Sequence, residues 1–560
     1  MVGLAPPPAP LPPPATRQPP ARRGSRAWSG RWWPVGLAAS AGVATGLGFA
    51  PIGLWPATLL GVAALTVSVK ASRSGWAALA AGAAFGLGLT STTLTWMAMI
   101  TVGAAAGLIA VVSGWYVLLG LLLRLASKSP LWPVLSAGAW VSAEYAASTF
   151  PFGGFGWLRL GYAMLDSPLA GILPVLGVGG LSFATALTAN LAVFLVRHRS
   201  LRPVAGGAVL GISALVLTSM AGATIELPQS SSVELGWVQG GAPGGGVFGL
   251  GAPGSTTRRH AAETTVLAEK ILDGKLQQPD VVVWPENSTD TDPRTDEDTR
   301  RLVTSSSQAV RAPLLVGEIL AGPGTDQRQT ASQFWTSDGA LDPTYVKRSI
   351  VPFGEWIPYR SLLLPLIPEL RYVGFQTVAG QRPGVLALPI RARSTVGLGI
   401  MICFDVAFDQ VAYDLPTNGA QVIVVQSSNA MYQGSPQVPQ QFAITRARAA
   451  ELRREIVVAT TSGISGVIDS RGNPMTTAST GPASGVASIP VRDGITPAVV
   501  LALPLQQAIG LITVAWVALL GGRAAGARRR SGPAPPRARQ RAPEPRAGRA
   551  GSTRPSCRRG

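Results

Sequence analysis

The sequence predicts a polytopic α-helical membrane domain of about eight spans, with an α/β layered domain inserted between the seventh span and the eighth. Three observations carry this reading. Apolar runs suited to a bilayer, which needs about 20 residues of helix, recur at 34–50, 54–69, 76–99, 102–123, 131–149, 168–196, 203–222 and 501–520. Cations collect in every second turn between them. From 223 to 498 the composition becomes that of a globular domain, with short Val/Ile/Leu-rich runs separated by polar, helix-like stretches. The chain is apolar, with a mean hydropathy of +0.29, yet its formal net charge is +19. The basic excess sits at the two ends and in short turns. That distribution suits anionic headgroups and membrane topology and excludes a nucleic-acid groove, which gathers its cations on one folded face.

Residues 1–31 form a Pro/Ala/Arg-rich arm that reads as disordered: Arg17, Arg22, Arg23, Arg26 and Arg31 fall in a stretch without apolar periodicity. Ala39-Ser40-Ala41 resembles a signal-peptide cleavage site, but the apolar run continues to Ala50 and another follows, so the first span reads as uncleaved. The membrane domain then occupies 32–222. Its first two spans are short and Gly-rich, and Phe49-Ala50-Pro51 marks either a turn between them or a re-entrant bend. Lys70 and Arg73 follow the second span, Arg124 and Lys128 the fourth, and Arg197, Arg199 and Arg202 the sixth, whereas the turns after the first and third carry no Lys or Arg. The positive-inside rule then places the N-terminus and the even-numbered turns in the cytoplasm, and whatever follows span seven outside. The turn after span five is longer and, with Glu144, Arg159 and Asp166, reads as an interfacial structure on the outer side. Glu144 is also the main charge among the spans.

The inserted domain, 223–498, contains six apolar runs read as strands: 232–238, 281–284, 314–316, 396–402, 422–425 and 456–458. Several are nearly continuous in Val, Ile and Leu, as expected for strands covered on both faces. Helical stretches at 257–272 and 441–454 lie between them, and the result is an α/β layered sandwich. The segment 499–522 returns the chain to the membrane. Residues 523–560, with Arg523, Arg528, Arg529 and Arg530 at their start, read as a disordered cytoplasmic tail.

The chemistry centres on Cys403, which Gly397-Leu-Gly-Ile-Met-Ile-Cys403-Phe-Asp405 delivers to the end of a buried strand. The only other cysteine, Cys557, lies in the Arg/Pro-rich tail, so a structural disulfide is not expected. A lone cysteine is more often inert core than nucleophile. Histidine cannot easily serve it: His198 falls in a cytoplasmic turn, and His260, beside Arg258 and Arg259, reads as part of a solvated helix face. The same two histidines, on opposite sides of a membrane and without a second outer cysteine, argue against a zinc site. A reactive Cys403 therefore needs a carboxylate or a lysine. Val281-Val-Val-Trp-Pro-Glu286 ends a strand with a proline and places a glutamate directly after it, where partial desolvation suits a general base. The alternative is a solvated loop acid. Lys347, at the edge of the loop Val351-Pro-Phe-Gly-Glu355-Trp, can present its ammonium to a developing oxyanion, or can be an ordinary surface lysine.

Together, Trp284-Pro-Glu286, Lys347 before Val351-Pro-Phe-Gly-Glu355, and Cys403-Phe-Asp405 resemble the Glu-Lys-Cys signature of the nitrilase superfamily. A domain of that kind between spans seven and eight is similar to the bacterial apolipoprotein N-acyltransferase family. Gly48-Phe-Ala-Pro51 with Trp55-Pro56, and Phe150-Pro-Phe152 leading to Gly161-Tyr162, also match that family's membrane motifs. The resemblance covers about 32–520. It implies a nitrilase-like αββα sandwich, no cofactor, and three catalytic residues: Glu286 as general base, Lys347 at the oxyanion and Cys403 as nucleophile. Glu355 would support them, and the backbone N–H of Phe404 would be a second oxyanion donor. Phe404-Asp405 departs from the Tyr-Glu of familiar members, which leaves the role of Asp405 open. In Ser428-Asn-Ala-Met431-Tyr432, Met431 replaces a bulky aromatic of the lipid-access loop. Phe353, Trp356, Phe408, Met431 and Tyr432 are lid or lipid-contact candidates, and each could equally be core.

The resemblance further implies a two-step acyl transfer, from a membrane phospholipid through a Cys403 thioester to the N-terminal amine of a diacylglyceryl apolipoprotein, at the outer face of the bacterial cytoplasmic membrane. A polyprenol-phosphate mannose synthase, fused to the enzyme in some relatives, would here be a separate partner. Two other readings stand beside this one: a membrane-anchored amidase acting on a small amide, and a transporter or scaffold with a degenerate outer domain. They divide on whether Glu286, Lys347 and Cys403 converge.

Overall fold

The computed structural model describes residues 26–197, 202–246, 249, 251–388, 396–479, 481–530 and 551. His198, Cys557 and most of the two basic termini lie outside the described residues. All eight predicted spans are helical. The first seven are α1 (Arg26–Gly46), α2 (Trp55–Ala71), α3 (Gly75–Thr93), α4 (Val102–Ala126), α5 (Trp132–Ala147), then, after a short α6 (Leu160–Ala163), α7 (Leu173–Arg197) and α8 (Arg202–Ala223). Four stretches are long and apolar enough to cross a membrane: Val102–Ala126, Ala170–Arg197, Gly206–Ala223 and Pro497–Arg523. The remaining helices pack among them at backbone distance. A Cβ built on Gly82 of α3 would lie 2.1 Å from the Tyr116 carbonyl oxygen of α4, so only glycine permits that approach. Glu144 belongs to α5 and not to the turn beyond it. α1 also begins ahead of the expected boundary at 32, because hydropathy marks the apolar stretch while Ala and Arg continue a helix past it.

The inserted domain holds two facing sheets. In chain order its strands are β1 (Gln229–Gln239), β2 (Val281–Val283), β3 (Leu314–Ala321), β4 (Gln327–Thr336), β5 (Gly339–Val346), β6 (Gln376–Thr377), β7 (Val385–Leu388), β8 (Val396–Ile402), β9 (Val422–Ser427), β10 (Ile456–Thr460), β11 (Ser465–Ile468), β12 (Pro474–Ala478) and β13 (Ala483–Arg492). The first sheet runs β13-β1-β2-β3-β4-β5, with β6 added beside β4, and the second runs β12-β11-β10-β9-β8-β7. Each has a parallel centre of three strands: β1, β2 and β3 in one, β8, β9 and β10 in the other. All strands flanking those centres pair antiparallel, except β6.

The helices of this domain are α9 (Ser255–Leu272), α10 (Glu297–Val310), α11 (Arg360–Leu366), α12 (Asp409–Thr417) and α13 (Gln437–Leu452). Strand alternation assigns the layers. Val281 and Val283 meet Leu398, Ile400 and Val424 between the sheets. Val282 and Trp284 turn outward to Leu267 of α9 and Val303 of α10. On the far side of the second sheet, Ile423 and Val425 share one core with α12, α13 and the membrane helices, including Leu173 and Val178 of α7. The order of layers is therefore helix, sheet, sheet, helix and membrane domain. The final helix, α14 (Pro497–Arg530), packs on α5 and α7 and extends beyond the expected boundary at 522.

Several polar contacts join the α12–α13 layer to the membrane domain. α7 is broken at Gly177, whose φ is 69°. The Val178 N–H beyond the break donates to Glu451 Oε1 of α13 at 2.9 Å, and the Tyr413 hydroxyl of α12 donates to the same oxygen at 2.6 Å. Arg159, in the turn after α5, donates to both Asp409 oxygens at 2.7 and 2.8 Å. Arg448 reaches Asp409 Oδ1 at 2.8 Å and the Val406 carbonyl at 2.8 Å. Burial opposes the charge of Asp409, but the two guanidiniums outweigh it and hold its carboxyl down at about 2.

Candidate active site

Glu286 and Cys403 both follow the carboxyl ends of parallel central strands, β2 in one sheet and β8 in the other, the position at which α/β sheets place functional groups. Lys347 follows β5. Gln426 at the end of β9 donates to the Trp284 carbonyl at 2.6 Å and so fixes the two sheets against each other directly beneath the site. Cys403 has φ 50°, a left-handed conformation that a cysteine adopts only under constraint, and it begins a 3₁₀ turn, Cys403–Ala407. Asn287, Phe353 and Asn429, on three other loops of the site, also have positive φ. The structure thus turns four loops sharply at one place.

Lys347 Nζ is the hub. It donates to Glu286 Oε1 at 2.8 Å and to both oxygens of Glu355 at 3.0 Å, and it is 1% exposed. Burial works against its ammonium, but the two carboxylates hold it well above the usual lysine range. Glu286 is 3% exposed, and its second oxygen accepts from the Ser428 N–H at 3.0 Å. Burial raises its carboxyl, partly offset by Lys347. The Cys403 thiol is also pushed up, first by burial and then by the charge of Glu286, against the opposing pull of Lys347. A thiol and a buried carboxylate whose burial opposes the charge of both form a pair across which a proton can move without leaving the site. Gln441 Nε2 lies 3.4 Å from Cys403 Sγ and 3.1 Å from Ser427 Oγ.

Asp405 anchors the Cys403 turn. Its carboxylate accepts from the Tyr345 hydroxyl at 2.9 Å, the Ser349 N–H at 2.8 Å and the Ile402 N–H at 3.0 Å, joining the Cys403 turn to the loop that carries Lys347. Phe404 is buried against Phe155 and Trp157 of the membrane domain, with ring centroids 6.0 and 6.2 Å apart, and against Phe408 at 5.0 Å. The lid candidates divide. Phe353 is exposed and Trp356 half-buried, and both rings pack on Phe152 of the turn after α5, at 5.9 and 6.2 Å. Tyr432 packs edge-on against Trp96 at 5.2 Å, while the Met431 carbonyl accepts from the Gly246 N–H at 2.8 Å.

His260 departs from the expectation of a solvated face. It is fully buried, its Nδ1 lies 2.7 Å from the Thr256 carbonyl, and its ring packs on Trp284. The two arginines beside it disguise a helix whose inward face it occupies. Residues that the sequence did not single out are Tyr345, Asp409, Arg448 and Gln441. Tyr345 lies two residues before Lys347. The others lie on elements whose meeting with the site depends on tertiary packing alone.

The model of the apolipoprotein N-acyltransferase N-terminal domain matches residues 41–191. The carbon-nitrogen hydrolase model matches 318–490, which includes Lys347, Glu355 and Cys403 and begins after Glu286. The chain is similar to the apolipoprotein N-acyltransferase of Mycolicibacterium smegmatis, at 32% identity over 518 residues, 87% of this chain and 84% of that one. It is similar also to the enzymes of that name from Nitrosomonas europaea, 28% identical over 78% of this chain and 86% of the relative, and Pseudomonas syringae pv. tomato, 27% identical over 78% and 87%.

Proposed function

From the chain's membership of the apolipoprotein N-acyltransferase family, an acyltransferase with a carbon-nitrogen hydrolase domain, we propose a two-step transfer that runs through Cys403. Glu286 takes the thiol proton, and the thiolate attacks the ester carbonyl of a membrane phospholipid. Lys347 Nζ and the backbone N–H of Phe404 receive the developing oxyanion. Its collapse breaks the ester C–O bond. The departing lysophospholipid alkoxide takes the proton from Glu286 and leaves a Cys403 thioester. In the second step the neutral α-amine of a diacylglyceryl-cysteine attacks the thioester, Glu286 accepts the proton of the new nitrogen, and breakage of the C–S bond releases the Cys403 thiolate, which takes that proton back from Glu286 as the amide is formed.

The observation that carries this reading is the convergence of Glu286, Lys347 and Glu355 on Cys403 at its strained turn. Glu355 keeps Lys347 charged and oriented while Glu286 changes protonation. Eight spans, with the catalytic domain at 223–498 outside and both termini inside, agree with the packing of the cationic turns. Lys70 lies 3.5 Å from the Trp132 ring centroid, and Arg124 donates to the Ser72 and Arg73 carbonyls, so the turns after α2 and α4 meet at one end of the bundle. The exposed apolar side chains of Tyr359, Leu362, Leu366, Ile367 and Phe375, beyond the Phe353–Trp356 loop, give the catalytic domain a lipid-facing edge.

The test is intact mass spectrometry of the protein in phospholipid. We expect an added mass of one acyl chain in the wild type, removed by hydroxylamine and absent in Cys403→Ala. No adduct on folded wild-type protein in the presence of lipid would count against acyl transfer and favour hydrolysis of a small amide.

A further inference from the structure

Helix α13 presents two adjacent glutamines in different directions, and each is committed to a different domain. Gln440 faces the membrane domain. Its Oε1 accepts from the Trp96 indole at 3.0 Å and the Trp157 indole at 2.9 Å, and its Nε2 donates to the Thr93 carbonyl at 3.0 Å. All of these side chains are buried. Gln441, about 100° round the helix, faces the nucleophile. Its Nε2 lies 3.4 Å from Cys403 Sγ and 3.1 Å from Ser427 Oγ, and its Oε1 has no hydrogen-bond partner among the described residues. An amide side chain 3% exposed, with its carbonyl unsatisfied and its N–H aimed at sulfur, is expensive to keep there for packing alone.

We propose that Gln441 is a further catalytic residue, an N–H donor to the Cys403 sulfur as it becomes a thiolate, and that the Gln440 contacts with Trp96, Trp157 and Thr93 set its aim, so that the nucleophile reaches full reactivity only when α13 is docked on the membrane domain. A donor to sulfur is worth little against a neutral thiol and more against the anion, which makes the contact selective for the attacking state. The charged and titratable groups that face the thiol from the other loops are Glu286, Lys347, Glu355 and Tyr432. Gln441 contributes to the sulfur's surroundings without titrating itself. Docking enters because a turn or slide of α13 moves both glutamines together. Loss of the Trp96 and Trp157 contacts therefore displaces the Gln441 N–H from Sγ.

This inference rests on Cys403 being the nucleophile, and its test reads the sulfur directly. The second-order rate of Cys403 alkylation by iodoacetamide is measured against pH on the full chain in detergent, in a Cys557→Ser background. Gln441→Met keeps volume and removes the N–H; Gln441→Glu puts an acceptor in its place. Both are expected to slow alkylation about 10-fold at neutral pH and to move the profile to higher pH. Gln440→Met, and Trp96→Phe with Trp157→Phe, are expected to shift the profile in the same direction by a smaller factor, with thermal unfolding establishing that each variant is folded. A Gln441→Met profile superimposable on the wild type overturns the catalytic assignment. A wild-type profile in both docking variants overturns the coupling. Loss of the acyl adduct in a variant whose alkylation profile is unchanged also counts against the proposal, whereas an acyl adduct that survives Cys403→Ala would overturn the underlying reading instead.

Discussion

Lys347 holds two carboxylates to which the proposed reaction gives different parts. Glu286 shares one of its oxygens with Lys347 and the other with the Ser428 N–H, whereas Glu355 offers both oxygens to Lys347 and takes the Val351 N–H as well. Only Glu286 is free to trade a proton without releasing a bidentate ion pair. Glu286→Gln should therefore slow acyl-enzyme formation by about 10²-fold or more, while Glu355→Gln, which weakens the hold on Lys347, should cost on the order of 10-fold. Quenched-flow sampling of the acyl adduct separates the two, and equal losses would refute the division of roles. At the same scale the Asp405 carboxylate accepts from three donors, the Tyr345 hydroxyl of β5, the Ser349 N–H of the loop after it and the Ile402 N–H of β8.

The elements tell which signals in the sequence suffice. Five of the six predicted strand runs fall within β1, β3, β8, β9 and β10 and the sixth overshoots β2 by Trp284, because strands covered on both faces write themselves as nearly unbroken Val/Ile/Leu. β4, β5 and β12 escaped notice. Gln327-Arg-Gln-Thr-Ala-Ser and Pro474-Met-Thr-Thr-Ala lack such a run: β4 is buried on both faces from Thr330 to Trp335 but fills them largely with small and polar side chains, and β12 is mostly exposed. Cys403, Glu286 and Lys347 were legible because they end elements with an apolar or Pro/Gly-marked signature. Gln441 was not, since no spacing distinguishes an amide that meets sulfur from one that meets water. The layer of α9, β3 and β4 hides two further ionisable groups. Burial lowers His260 from 6.5 to about 4 and raises Glu318, bonded to the Trp335 indole, from 4.5 to about 8. A histidine kept neutral supports the fold above pH 6.5, and that support is lost as pH falls through 4. An acid kept protonated supports it below pH 4.5, and that support is lost as pH rises through 8. Glu318→Gln should therefore raise the unfolding temperature at pH 8–9 relative to the wild type, by about 2–4 °C, and leave it little changed at pH 5. The same shift at both values would show that the carboxyl is not buried neutral.

The whole molecule is organised by the α12–α13 layer, which serves as the outer cover of the second sheet and the seat of the membrane domain at once. Asp409 is the shared acceptor of Arg159 from one domain and Arg448 from the other. Asp409→Asn leaves two buried guanidiniums short of charge, with an expected loss of about 3–5 kcal/mol. Arg448 also holds the Val406 carbonyl inside the nucleophile turn, so we expect Cys403 alkylation to fall together with thermal stability, and a stability loss with unaltered alkylation would disprove the link.

The Phe404 ring lies within 6.0–6.2 Å of Phe155 and Trp157 on one side and 5.0 Å from Phe408 on another. These rings form a continuous apolar contact from the membrane domain to the residue beside the sulfur. Drawing hydrocarbon into water costs about 0.8 kcal/mol per methylene, on the order of 12 kcal/mol for a chain of about sixteen carbons. In the proposed transfer, an acyl chain held against this wall would meet the Cys403 sulfur while still in apolar surroundings, and that solvation cost would not enter the barrier.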